Sequence, residues 1–481
     1  MADRKGKFVL AALWAYLTAA GILLGYSLVG WGSIYPSLAS PISGVILIYG
    51  FPFLIVSAVI WAFWKGKEQR LNVGLLRISS TVSVYAIEFA LKILSRRSQT
   101  TKIELIEDLR SKTKETVVPA VFPSVLISEK DNRSVISIDG REVLPLGGIS
   151  NVLNVYCKEA GDYLVYKTDE HGFHNPPGLW SLPKIDIAAV GDSFTQGACV
   201  PSEKNMIAKV REAFPRTLNM GGAGGGPLAN LAEIKEYLAV KKPKVVFWDY
   251  AQNDLGRDLA REKQVPIMMK YMEKGFSQGL LNVQPKIDST LLNYAESQMI
   301  EVVKNENALD TERFDPSLKG KIRRLALFFR IPKIRGLLIP RLGRTLPADF
   351  EMPNPEFALF EKVLAEADAT VKSWNGQLVF VFLPDSKMYG FEPLLEGSMD
   401  PLEFKRRLLE IVHRVGVPIV DIDEAFRKAG GDPLNYFARV GTHLMTYYGH
   451  FNEAGYAIAG AAMVDYLKQS SLLSLDAGAN K

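Results

Sequence analysis

Residues 185–197 read IDIAAVGDSFTQG. The run Ile185 to Val190 is short and apolar and stops at a glycine, which predicts a buried strand, and Asn205 to Ala213 behind it carries a helical pattern. A serine at a strand-to-helix turn, here Ser193 in Gly191-Asp192-Ser193-Phe194-Thr195, has its hydroxyl held at the sheet edge and its N–H near a helix N-terminus, which suits a nucleophile. Gly-Asp-Ser serves equally well as a plain turn or helix cap.

The same alternation continues outward. Thr217 to Met220, Val245 to Tyr250, Leu378 to Leu383 and Val417 to Ile422 read as further strands. Leu228 to Val240, Pro355 to Trp374 and Pro401 to Val415 read as the helices between them. Five βα units predict a parallel sheet with helices on both faces, whose ligands bind at the carboxyl ends of the strands.

Chemistry-bearing residues fall at those ends. After the second strand comes Gly221-Gly222-Ala223-Gly224-Gly225-Gly226, whose N–H groups can point at an anion; without a following Gly-Lys-Ser/Thr it is a poor phosphate loop. After the third strand stands Asn253-Asp254, where the Asn253 amide can face the glycine loop, unless the pair is simply a turn or cap. His450, in Tyr447-Tyr448-Gly449-His450-Phe451-Asn452, opens an apolar helix and is placed for a general base. Metal sites built on His443 with His450, or on Asp169, His171 and His174, are the rival use of these histidines.

The order of these four blocks resembles the SGNH, or GDSL-type, hydrolase superfamily over roughly Tyr166 to Leu473. The resemblance implies a three-layer α/β/α, flavodoxin-like domain with a five-stranded parallel sheet. It also implies Ser193 as nucleophile, His450 as base, and the N–H groups of Ser193 and Gly224 with the Asn253 side chain as oxyanion hole. Asp169-Glu170-His171-Gly172-Phe173-His174-Asn175-Pro176, Phe194-Thr195-Gln196-Gly197 and Ile87-Glu88-Phe89 look like the membrane-anchored bacterial branch. One departure stands out: the family's Asp two or three residues before the His is replaced by Tyr447 and Tyr448. A Ser-His dyad, or a substitute acid among Asp421, Asp423, Asp432 and Asp192, would follow. A descendant that binds without catalysing is the other outcome.

The N-terminus has a different solvent. From Phe8 to Trp64 there are 57 residues without Asp, Glu, Lys, Arg or His, split near Pro36 and Pro41 into runs of about 8–31 and 44–64. Each is long enough to cross a bilayer, with Trp and Tyr toward the interfaces. Arg4, Lys5 and Lys7 before them and Lys65, Lys67 and Arg70 after them put both ends in the cytoplasm. A third apolar segment, about 75–94, holds Arg77, Glu88 and Lys92 near its ends. As a span it would move everything after Arg97 out of the cytoplasm; as an amphipathic helix on the inner face it would not. The expected organisation is a membrane anchor over 1–97, a linker and entry region over 98–165, and the hydrolase domain over 166–473.

Within that domain a long insertion, about 257–349, ends in Leu318 to Arg344 with nine Lys or Arg and no acid. This fits a lid on an anionic membrane surface or a groove for an acidic glycan, or equally a solvated helical face. The two cysteines, Cys157 and Cys199, flank the serine block and would pair in an oxidising compartment, or be two separate buried thiols.

Composition narrows the rest. A formal net charge of +5 over 481 residues, without basic blocks interleaved with aromatics, argues against nucleic-acid binding. No redox, nucleotide or metal cofactor is expected. The reading is an inner-membrane-anchored serine esterase acting on O-acyl, foremost O-acetyl, esters of an envelope glycan or lipid-linked sugar. A polysaccharide O-acetyltransferase using the same residues, or an inactive binding or assembly protein, are its alternatives.

Overall fold

The computed structural model describes residues 83, 86–87, 102–122, 136–159, 161–313, 355–390, 399–442, 445–470 and 472–473, with the backbone alone at 301–313, 441–442 and 445–447. The expected spans 8–31 and 44–64, nearly all of 75–94, and the basic stretch Leu318 to Arg344 lie outside the described residues. Among the described residues no helix is long and apolar enough to cross a membrane. The chain divides into two compact units, Met1–Gln99 with Asn305–Glu351 and Thr100–Lys304 with Met352–Lys481, and the second is the subject below.

In the region read as a linker and domain entry, 98–165, the described residues form several short elements. Helix α1 (Lys102–Thr113) leads to β1 (Val117–Pro119), a small hairpin of β2 (Ile136–Ile138) and β3 (Arg141–Val143), then β4 (Leu153–Val155) and β5 (Val165–Lys167). β1 pairs parallel with β4, and β4 antiparallel with β5, to make a three-stranded sheet.

The central sheet follows. β6 (Ile187–Val190) runs into a one-turn helix α2 (Ser193–Gln196) and then α3 (Met206–Ala213), which Asn205 caps through its side-chain oxygen. β7 (Thr217–Asn219) leads to α4 (Pro227–Glu233), which continues through a π turn, Ile234–Leu238. β8 (Val245–Tyr250) ends at a second π turn, Asp254–Asp258, and the chain passes through α5 (Gln284–Arg313) to α6 (Phe357–Lys372). β9 (Gln377–Phe382), α7 (Pro401–Val415), β10 (Ile419–Asp421) and α8 (Ile422–Ala429) complete the alternation. A hairpin, β11 (Phe437–Thr442) with β12 (Met445–Phe451), precedes α9 (Glu453–Ser470).

All five central strands are parallel, in the order β7-β6-β8-β9-β10. This is the 2-1-3-4-5 flavodoxin-like order, as expected, with strand ends moved by up to two residues. Alternate side chains face opposite ways, so Val190, Trp248 and Phe380 pack against α4, α6 and α7, while Ile187, Phe247 and Val381 pack against α3, α8 and α9. The topological switch lies between β6 and β8, where the connections leave in opposite directions, and ligands of such sheets bind in the crevice there. Ser193, the glycine loop and Asn253 follow β6, β7 and β8 at that edge.

Candidate active site

Ser193 is the first residue of α2, and Asp192 caps the turn by accepting from Phe194 N at 2.9 Å. The Ser193 hydroxyl lies 2.8 Å from His450 Nε2. His450 sits at the end of β12, 257 residues away in sequence. The rings of Phe194 and His450 are 4.8 Å apart, so an aromatic wall limits imidazole rotation.

The other imidazole nitrogen finds a partner that none of the four named aspartates supplies. His450 Nδ1 is 2.6 Å from Oε1 of Glu159, whose Oε2 accepts the His450 backbone N–H at 2.8 Å. Glu159 lies between β4 and β5, ahead of the nucleophile. The expected acids are engaged elsewhere. Asp421 caps α8 and pairs with Lys405 at 2.7 Å, and Asp423 binds Lys405, Arg427 and the Tyr389 hydroxyl. Asp432 caps a turn at Leu434, while Asp192 holds its own turn and Asn253. Tyr447 and Tyr448 lie in β12, opposite Val440 and Arg439.

Glu159 had no local signature in the sequence, but a signal did exist next to the histidine. A Cβ on Gly449 would collide with both Glu159 carboxylate oxygens, so only glycine lets this acid approach. Cys157 was the second signal, since it is bonded to Cys199, with Cα atoms 5.1 Å apart. Side-chain exposures of 22% for His450 and 15% for Glu159 leave the pair reachable from solvent yet mostly shielded.

The oxyanion candidates Ser193, Gly224 and Asn253 follow β6, β7 and β8, and the Asn253 side chain is not idle. Gly222 N donates to Gly191 O at 3.0 Å, holding the glycine loop to the serine turn, and Gly221 N donates to the Asn219 side chain at 2.8 Å at the end of β7. Gly224 has φ +75°, a left-handed conformation that glycine takes without strain. Asn253 Nδ2 donates to Asp258 Oδ2 at 2.7 Å and to Asp192 Oδ2 at 3.2 Å. Asp258 also receives Arg261 Nη2 at 3.0 Å, and the same nitrogen donates to Gly224 O at 2.7 Å. Buried Asp258 therefore ties Asn253 to the glycine loop.

This neighbourhood is crowded with buried acids. Burial pushes Asp192 and Asp254 above the usual carboxylate range, and raises Asp249 and Glu262 to about 8 each. Asp249 accepts from Thr195 Oγ1 at 2.9 Å, and Glu262 from Gly226 N at 2.7 Å. At neutral pH Asp249 and Glu262 are therefore mostly protonated.

Of the two metal alternatives, the set Asp169, His171 and His174 has Asp169 and His174 engaged by protein groups. Asp169 is filled by donors from His171 N, Phe173 N, Asn175 and Trp180, and burial lifts it to about 6. His174, lowered to about 4 by burial, bonds Gln196 O and the Ser202 hydroxyl. His443 lies outside the described residues. Ligand atoms of Glu159, Cys199 and His450 fall within 4.8 Å of one another, but the Cys199 sulfur is committed to the disulfide.

No protein-family model and no curated protein matches the chain. Solved structures with some likeness include TesA, at 12% identity and TM-score 0.31 over 60% of this chain and 99% of that one. An acetyl xylan esterase, AlAXEase, gives 11% and 0.30 over 59% and 100%. A lipase/acylhydrolase from Enterococcus faecalis gives 13% and 0.31 over 60% and 97%. Likeness at this level carries no argument about chemistry, which rests on the geometry above.

Proposed function

We propose that this chain is a serine esterase working through a Ser193–His450–Glu159 relay. The observation that carries the reading is the unbroken line from the Ser193 hydroxyl through both imidazole nitrogens to the Glu159 carboxylate, at 2.8 and 2.6 Å. Nδ1–H donating to Glu159 leaves Nε2 with its lone pair toward Ser193, the tautomer a general base needs.

The reaction then proceeds in two halves. Ser193 Oγ attacks the ester carbonyl carbon while its proton passes to Nε2, and Glu159 stabilises the imidazolium that forms. The carbonyl oxygen becomes an oxyanion, received by the N–H groups of Ser193 and Gly224. Asn253 joins them by exchanging its longer bond, to Asp192, for one to the oxyanion. Collapse expels the alcohol, which takes the proton from Nε2 and leaves an acyl-serine. Water adds to that acyl group with its proton going to Nε2, and the carboxylic acid departs with serine restored.

The substrate class proposed is O-acyl, foremost O-acetyl, esters of a cell-envelope glycan or lipid-linked sugar. The protein would be anchored in a bacterial inner membrane with this domain outside the cytoplasm. The uncharged run Phe8 to Trp64 supports anchoring, and the Cys157–Cys199 disulfide supports an oxidising compartment. The SGNH-type resemblance of the sequence blocks supports the ester chemistry.

The test is acetyl-ester turnover by the full-length protein against Ser193→Ala and His450→Ala, with and without a glycan acceptor. Each variant should lose on the order of 10⁶-fold in kcat, the loss seen when a serine-histidine unit is broken. Acyl transfer outpacing hydrolysis would make the enzyme an acyltransferase. A folded parent no faster than its variants would leave a binding protein.

A further inference from the structure

The acid of the proposed relay reaches its histidine from 291 residues away. β4 and β5 are closed by Tyr156 N to Leu164 O and Leu164 N to Cys157 O, both 2.9 Å. Glu159 lies beyond that closure, in the connection that returns to β5. Its carboxylate meets His450 at both oxygens, and a displacement of 1 Å in a catalytic array can cost about 10²-fold in rate.

One covalent link crosses from this connection to the nucleophile. Cys157, two residues before Glu159, is bonded to Cys199, and Ala198 N, next to Cys199, donates to Ser193 O at 3.0 Å. The path from acid to nucleophile therefore runs through one disulfide and one backbone hydrogen bond, without passing through either sheet. Cys199 holds φ at +64°, a left-handed conformation that a side-chain-bearing residue adopts at a cost.

We infer that the Cys157–Cys199 disulfide is a positioning cross-link for Glu159, holding the relay's acid in register with Ser193 and His450 in addition to stabilising the fold. The inference rests on the Ser193–His450–Glu159 reading. It makes the sulfur pair act on turnover through Glu159 and not through substrate binding, so kcat carries the effect while KM stays nearly constant.

The experiment is a double-mutant cycle in the full-length protein, measuring kcat and KM for an acetyl ester. Its four members are the parent, Cys157→Ala with Cys199→Ala, Glu159→Gln, and all three changes together. Removing the disulfide should lower kcat about 10- to 100-fold in the parent, with KM moving less than about threefold. In the Glu159→Gln background the same removal should change kcat less than about threefold, because the group being positioned is gone. Equal losses in both backgrounds would make the disulfide a stabiliser only and overturn the inference while leaving the relay intact. No loss in the parent would overturn it too. A Glu159→Gln enzyme as fast as the parent would overturn the relay's acid and the inference with it. Should the cysteine-free protein fail to fold, reduction of the parent and of Glu159→Gln by a dithiol, well below their unfolding temperatures, gives the same comparison. Reoxidation should then restore only the parent.

Discussion

The five-stranded and the three-stranded sheets both supply the site, and they do so under different rules. Every residue that the large sheet contributes stands at the carboxyl end of a strand: Ser193 after β6, Gly224 after β7, Asn253 after β8. The small sheet contributes one residue, Glu159, from a connection that obeys no such rule. Parallel topology fixes where the first set must be, whereas Glu159 is fixed by a disulfide, by a missing Cβ and by its bonds to His450. A site can thus be half dictated by fold and half attached to it.

The sharpest way to break this comparison is at the attached half. Glu159→Gln keeps the shape but loses the charge that selects the imidazole tautomer, and kcat should fall about 10³- to 10⁴-fold. A fall of less than tenfold, measured with an acetyl ester, would mean that the small sheet adds nothing to catalysis. Gly449→Ala tests the steric gap from the opposite strand. Its Cβ would push the Glu159 carboxylate away, and about 10²-fold should be lost, with near-normal thermal stability distinguishing displacement from unfolding. Full activity in that variant would show that the acid can act from another position.

The large sheet's half should respond more gently to loss of its supports. Asp258→Asn keeps the bulk that holds Asn253 and Arg261 but weakens both bonds, so kcat should drop about tenfold with the nucleophile still labelled by a fluorophosphonate. Loss of labelling would mean that Asp258 supports the serine turn and not the oxyanion donors. The smallest effect concerns stability. Asp249 is raised to about 8 by burial, so the native state keeps a proton that the unfolded chain releases near 4. Its contribution is fully present below about pH 4 and is lost as pH rises through about 8. Asp249→Asn should therefore show a shallower fall of Tm across that window than the parent. Parallel Tm curves would put the proton elsewhere.

Legibility in the sequence followed the same division. Val245 to Tyr250 and Pro401 to Val415 matched observed elements residue for residue, because apolar period and flanking caps are local information. Ser193 and His450, singled out from turn and helix-start signals, are brought to hydrogen-bond distance. Glu159 carried no signature of its own, because its meaning depends on a partner that no local window contains, and only Gly449 and Cys157 hint at it. The segment 98–165, read as a linker and domain entry region, showed no strands in the sequence because those among its described residues are three residues long, too short for period-two alternation to register. Asn253 was placed at the right strand end, but its ties to Asp258 and Asp192 come from a π turn that no spacing announces.

The order of Glu159, Cys157 and His450 along the chain also sets an order in time. At about 5–20 residues per second of synthesis, the 291 residues from acid to base take roughly 15–60 s to appear. Cys199 follows Cys157 by only 42 residues, so the sulfur pair can close while most of the domain is unmade. On the proposed relay, a newly made molecule would stay inert toward esters until the hairpin bearing His450 folds in, so the hairpin that precedes the final helix completes the array.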